Sequence, residues 1–304
     1  MTRWWTYQAE RFPVLAHGPL VFAFSFSAIC FSSLLRGDAS LPGAAAVATG
    51  FVTSLLFFLQ LRIADEFKDF EEDSRYRPYR PVPRGLVTLR ELGVVFALAA
   101  AVQLGLALWL RPGLAAWLAV TWAYLACMSR EFFAREWLKA RPVTYMWTHM
   151  LIMPLIDFYA TACDWRVKAD GPPSGLFWFL AVSFMNGIVI EIGRKIRAPE
   201  DEEAGVQTYS VLWGREKAVL VWLCALSATA FCALVVAAKI GFGTPVATLL
   251  GLLLLAAGLV SFRFLRDPVS GRGKSFEAMA GAWTLLMYLG LGAAPLLWEH
   301  FYNA

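Results

Sequence analysis

Charge is scarce in this sequence. Asp, Glu, Lys and Arg make up 16% of its 304 residues, against about 25% in ordinary soluble domains, and no polar stretch is long enough to fold as a separate soluble domain. The 27 basic and 23 acidic side chains leave a formal net charge of only +4, so nucleic-acid binding is not suggested. Cysteine is sparse too. Cys30, Cys127, Cys163, Cys224 and Cys232 lie in or beside apolar runs with no CxxC spacing, which gives no support to a disulfide framework or a zinc site and makes them small core residues. What abounds is apolar: 59% of the residues are hydrophobic and the mean hydropathy is +0.56. That composition excludes an ordinary soluble domain and points to an integral membrane protein.

A helix needs about 20 apolar residues to cross the hydrocarbon core, where only a helix or a closed barrel satisfies its own backbone. Nine segments qualify: Val14–Leu35, Gly43–Leu61, Leu92–Leu110, Gly113–Met128, Val143–Cys163, Ser174–Ile192, Lys217–Ala238, Pro245–Leu265 and Phe276–Trp298. The expected fold is an all-α polytopic bundle of nine transmembrane helices, a single domain over residues 1–304. The first run is long for a signal-peptide core and lacks a small-x-small cleavage site, so it is expected to be retained. With these boundaries 22 of the 27 Lys and Arg fall on one side. The positive-inside rule then predicts a cytoplasmic N-terminus and an outer C-terminus, in the inner membrane if the source is bacterial.

The acids are clustered. Thirteen of the 23 lie in two regions of that same cytoplasmic side, the loops after the second and sixth spans. In the first, Asp65, Asp69 and Asp73 recur at i, i+4, i+8; each step turns about 400°, so the three drift by only about 80° along roughly 12 Å of one helical face. Hard oxygen donors in such a stripe suit Mg²⁺, which takes one or two carboxylates together with water and phosphate oxygens. Lys68 and a run of arginines, Arg75, Arg77, Arg80 and Arg84, accompany the stripe. Such cations match a diphosphate, because guanidinium groups grip phosphate oxygens bidentately. A solvated helix end is the structural alternative. The second region holds Glu191, Arg194 and Lys195 at i, i+3, i+4, then Glu200, Asp201, Glu202 and Glu203 between Pro199 and Gly205. There Pro and Gly predict a loop or short helix. Thr88-Leu-Arg-Glu91 reads as a capping box opening the third span.

At these two loops the sequence resembles the UbiA superfamily of intramembrane prenyltransferases. The carrying residues are Asp65-x3-Asp69-x3-Asp73, followed by Arg80-Pro81-Val82-Pro83-Arg84-Gly85, and later Gly205-Val-Gln-Thr208 with Leu212-Trp-Gly214. The second acidic motif departs from the family's pair of aspartates. Aligned through Gly205, Arg197 stands opposite the first and Asp201 opposite the second, with Glu191 and Glu200 as candidate substitutes. The resemblance implies a helical bundle around a central cavity, Mg²⁺ held between the two motifs, and a prenyl diphosphate bound there. On that basis Asp65, Asp69, Asp73, Glu191 and Asp201 are the expected catalytic residues. Asp65, Asp69, Asp73, Glu200 and Asp201 are the expected metal ligands, and Lys68, Arg77, Arg80, Arg84, Arg194 and Lys195 the expected diphosphate-binding groups. The implied reaction is metal-assisted ionisation of the allylic diphosphate and capture of the carbocation by an aromatic or other lipophilic acceptor, in contact with membrane lipid.

Three alternatives stand beside prenyl transfer: a terpene cyclase of the same fold, a transporter, and a non-catalytic scaffold. Transporters place ion sites near the midplane at broken helices, whereas these carboxylates gather at one membrane face. Among polar residues inside the spans, Asn186 and Asp157 are expected to serve structure, and His149 is a candidate for orienting an acceptor.

Overall fold

The computed structural model describes residues 2–169 and 171–302, and every regular element among them is helical. The chain divides into two compact units, each assembled from two stretches: Met1–Ile29 with Pro42–Pro172, and Cys30–Leu41 with Pro173–Ala304.

The first unit opens on α1 (Arg3–Arg11), whose N-cap Thr2 accepts a hydrogen bond from Trp5 N. Then come α2 (Val14–Leu35), whose residues from Cys30 onward fall in the second unit, and α3 (Ala44–Lys68). A short α4 (Phe70–Tyr76) leads through the Arg80-Pro81-Val82-Pro83 turns to α5 (Leu89–Leu110). The expected capping box is present: Glu91 N donates to Thr88 Oγ1 at 3.3 Å and Thr88 N donates to Glu91 Oε2 at 2.9 Å. Pro112 pushes Arg111 into an extended conformation (φ −162°, ψ 115°), which ends α5 before α6 (Leu114–Ser129). The unit closes with α7 (Arg135–Lys139), α8 (Pro142–Met150) and α9 (Ile152–Lys168). α3 packs on α5 and α9, and α6 packs on the same two.

The second unit contains α10 (Leu176–Gly193), α11 (Tyr209–Trp213), α12 (Arg215–Lys239), α13 (Gly243–Arg266) and α14 (Lys274–Tyr288). A π-helical turn, Leu289–Ala293, joins α14 to α15 (Ala294–Tyr302). α10 and α13 each pack on α12 and α14. The approach of α10 to α14 depends on Gly193: a Cβ there would stand 3.1 Å from Phe276 O, from Ala280 Cβ and from Trp222 Nε1.

Among the described residues, seven helices are long and apolar enough to cross a membrane: α2, α3, α5, α10, α12, α13 and the joined segment Lys274–Tyr302. The chain is therefore an integral membrane protein, and seven of the nine expected spans meet that measure in full. The fourth expected span is α6, with 16 residues, and the fifth is broken at Leu151 into α8 and α9. Pro154 explains that break, because it has no N–H to offer the carbonyl four residues back. Exposed apolar side chains such as Phe177 (72%) and Leu255 (68%) suit a lipid-facing surface. Inside, Asn186 Nδ2 donates to Met287 Sδ on α14 at 3.8 Å, the interhelical bond expected of it. Cys30 and Cys163 are buried as expected, whereas Cys224 is exposed on an apolar helix.

Candidate active site

The first acidic cluster sits where α3 gives way to α4. One continuous helical face was the expectation, and the structure corrects it. Asp69 (φ −96°, ψ 6°) ends α3 and starts α4, while the i to i−4 register survives: Asp69 N donates to Asp65 O at 2.9 Å and Asp73 N to Asp69 O at 2.8 Å. Aspartate favours helix starts, and Glu71, Glu72 and Asp73 in the first turn of α4 suit the positive end of a new helix dipole.

The three aspartates have different surroundings. Asp65 pairs with Lys68 Nζ at 3.3 Å and with Arg62 at 3.9 Å. Asp73, buried at 2% exposure, accepts from Arg80 Nη1 at 2.5 Å, with Arg77 Nε at 3.2 Å and Arg11 Nη2 at 4.0 Å. Asp69 has no ion pair within 4.0 Å among the described residues. Burial, with only Lys68 opposing it and Asp65, Asp73 and Glu72 adding to it, pushes its carboxyl up to about 6. Glu72 by contrast is held below the usual carboxylate range by its hydrogen bond from Lys139, at 2.6 Å. Among the described residues no three acidic, histidine or cysteine side chains converge as a ready-made metal cage.

Lys68 is itself fixed. Its Nζ donates to Tyr145 OH at 2.9 Å, and Tyr145 stacks on His149 with ring centroids 3.9 Å apart. Tyr145 OH lies 3.5 Å from Glu131 Oε1, in a turn where Glu131, Phe132 and Phe133 all have positive φ. Arg84, the outermost of the run, turns outward to Glu10 at 2.8 Å.

The second cluster lies at the end of α10. Glu191, 5% exposed, accepts from Arg194 at 2.5 Å and Lys195 at 2.7 Å, the i, i+3, i+4 face anticipated from the sequence. Pro199–Asp201 forms a single 3-10 turn. Both carboxylate oxygens of Asp201 are taken, by Ser270 Oγ at 2.6 Å and Gly271 N at 2.8 Å, and these bonds hold its carboxyl below the ordinary range. Glu200 accepts from Ser270 N at 3.2 Å. Gly273 permits this contact, since a Cβ there would lie 2.6 Å from Ile196 O. A recess of about 410 Å³ is lined here by Arg194, Arg197, Glu200, Asp201, Lys274 and Glu277, among others.

One arrangement therefore occurs in each unit: a buried carboxylate, Asp73 or Glu191, holds a pair of cations, Arg77 and Arg80 or Arg194 and Lys195. Sequence reasoning missed Arg11 and Glu66. Arg11 Nε donates to Glu66 Oε1, and Glu66 is 1% exposed. The available signal was the i, i+7 spacing of Glu66 and Asp73, which follows the same helical face two turns on.

Membrane helices that carry paired clusters of carboxylates and cations at their ends define a polytopic membrane protein with two charged sites. The chain belongs to the UbiA prenyltransferase family, whose model matches residues 23–283, and it is accordingly a prenyltransferase. It is 28% identical over 260 residues to the digeranylgeranylglyceryl phosphate synthase of Thermococcus sibiricus, covering 79% of this chain and 87% of that one. In fold it is similar to a UbiA homologue from Aeropyrum pernix K1 in its apo form (TM-score 0.68, 15% identity, 90% of this chain and 96% of that one). It is also similar to a UbiA homologue from Archaeoglobus fulgidus bound to DMAPP and Mg²⁺ (TM-score 0.54, 13% identity, 91% and 97%).

Proposed function

We propose that the protein transfers a prenyl group from a prenyl diphosphate to a lipophilic acceptor, aromatic or lipid, in a Mg²⁺-dependent reaction at the cytoplasmic membrane face. The observation that carries this reading is the unmatched charge of Asp69. In a cluster where Asp65, Glu72 and Asp73 have basic partners, it alone among the first motif's aspartates lacks one. An added cation relieves that imbalance. The donor set is hard oxygen, and the lack of a three-acid cage agrees with an ion that keeps waters and binds through one or two carboxylates plus substrate phosphate. The Archaeoglobus homologue bound to DMAPP and Mg²⁺ supports the same pairing of ligands.

In this reading Asp69 and Asp65 hold the metal, which when bound neutralises charge building on the departing diphosphate. Asp73 aims Arg77 and Arg80, so that these cations take diphosphate oxygens without reorganising during the reaction, and in the second unit Glu191 holds Arg194 and Lys195 in fixed orientation in the same way. Lys68, pinned by Tyr145, keeps Asp65 in place. Asp201 and Glu200 anchor the Ser270–Gly271 turn. Apolar span interiors receive the isoprenoid chain and exclude water from the allylic cation. The side assignment rests on the 22 of 27 Lys and Arg that the sequence places on one face.

The test is calorimetric binding of geranyl diphosphate to purified protein in detergent, with and without Mg²⁺, for the parent chain and Asp69→Asn. Metal-dependent binding lost in the variant supports the reading. Equal binding with and without Mg²⁺ refutes the metal role, and a cyclic hydrocarbon formed from the diphosphate alone would replace transfer by cyclisation.

A further inference from the structure

The family match begins at residue 23, so α1 lies outside it. α1 nevertheless touches the first acidic cluster. Arg11, its last residue, has a side chain only 10% exposed; its Nε donates to Glu66 on α3 and its Nη2 stands 4.0 Å from Asp73 Oδ2 on α4. One guanidinium thus spans the break at Asp69, joining the last turn of α3 to the helix that follows. The brace is anchored elsewhere as well. Arg3 pairs with Glu91 at the start of α5 at 2.6 Å, and Glu10 pairs with Arg84 at 2.8 Å. Tyr7 is buried in a cluster with Ile63, Val82, Val87 and Leu92, which fastens α1 to α3, to the Pro81–Pro83 turns and to α5.

We propose that α1 is a positioning element of the active site and that Arg11 is its positioning residue, bridging Glu66 and Asp73 so that α4 presents Arg77 and Arg80 in one fixed orientation. The argument is geometric. α4 has seven residues and leaves the membrane span at a helix break, so its own hydrogen bonds hold it weakly. Asp73, which carries Arg77 and Arg80, is the group on which Arg11 converges. The Glu66 carboxylate, buried and with Oε2 unpartnered, ties the other end of Arg11 to the rigid span. The inference rests on the functional reading above for its link to diphosphate, but not for the brace itself.

The experiment compares the full-length parent with Arg11→Ala, Arg11→Lys and the double variant Arg11→Ala/Glu66→Gln. Hydrogen exchange of the Phe70–Tyr76 amides, measured without ligand, reads the brace. Calorimetric binding of pyrophosphate with Mg²⁺ reads its effect on the site, and thermal unfolding reads stability. Both alanine variants are expected to exchange faster over α4 and to bind magnesium pyrophosphate about tenfold more weakly, the order of a contact acting through one neighbour. The double variant should regain the thermal stability lost in Arg11→Ala, because the buried unpaired carboxylate is gone, yet not the binding, and Arg11→Lys should recover binding in part. Unchanged exchange over α4 overturns the brace. Full recovery of binding in the double variant also overturns the proposal, reducing Arg11 to a neutraliser of Glu66. Failure of the parent chain to bind magnesium pyrophosphate would instead strike the functional reading, while the exchange data would still decide whether α1 braces α4.

Discussion

Asp69 concentrates the cost and the use of the site in one carboxylate. Its folded-state value, about 6, lies above that of an ordinary Asp, near 4. Between those values the folded chain holds a proton that the unfolded chain has released, so stability falls as pH rises from about 4 to about 6. Asp69→Asn should remove that slope and raise metal-free stability at neutral pH by about 1 kcal/mol, a figure already reduced for solvent screening. Thermal melts at several pH values check both effects, and a variant no more stable than the parent would show that its charge is compensated in solution. Protons compete with metal at the same group, so Mg²⁺ affinity should decline as pH drops below about 6, which a calorimetric Mg²⁺ titration measures. Arg80→Ala should raise the diphosphate KM about tenfold or more through loss of charge-assisted hydrogen bonds, with little change in expression. The residues of this stripe were legible because helical periodicity is local. Arg11 and Glu66 were not, since their pairing joins positions 55 apart and needs the fold before it exists.

Elements announced themselves through their ends. The Val14–Leu35 span was read to the residue, and the Thr88–Glu91 box and Pro112 mark boundaries where local chemistry decides. Thr88→Ala should therefore cost about 1 kcal/mol of stability and leave diphosphate binding intact, as compared by melting and calorimetry. α3 runs on to Lys68, past the apolar run ending at Leu61, as the helical spacing of the acids led one to expect, because charged residues continue a helix beyond the hydrocarbon. One reading failed for a physical reason: the Asp69 break was hidden because the backbone bonds on either side preserve the helical spacing. In the second motif, loop character followed from Pro199 and Gly205, but the attachment of Asp201 to Ser270 and Gly271 did not, since those partners lie 69 and 70 residues away. Asp201→Ala should accelerate amide exchange across residues 269–273, and unchanged exchange would show that the turn stands without it.

For the molecule as a whole, composition alone was enough to place the chain in a membrane, whereas it did not show that two of the nine expected crossings are short or interrupted. Hydropathy counts apolar residues but does not see that Pro154 divides one run into α8 and α9. The asymmetry of Lys and Arg yields an orientation that a periplasmic-reporter fusion after Ala304 can examine if the source is bacterial. Alkaline phosphatase activity there agrees with an outer C-terminus, and activity only in fusions to the loop before α5 would reverse it. The π-helical turn at Leu289–Ala293 has a consequence for the evolution of the last crossing. A wide turn of this kind accommodates one residue more than the α-helical ladder around it. Deleting that one extra residue would restore the regular ladder and leave the helix downstream facing as it does, with Pro295 and Leu296 still inward. A deletion in the regular helix on either side would instead turn everything downstream by about 100°. This short stretch is thus the place where the last crossing can absorb the loss of a residue.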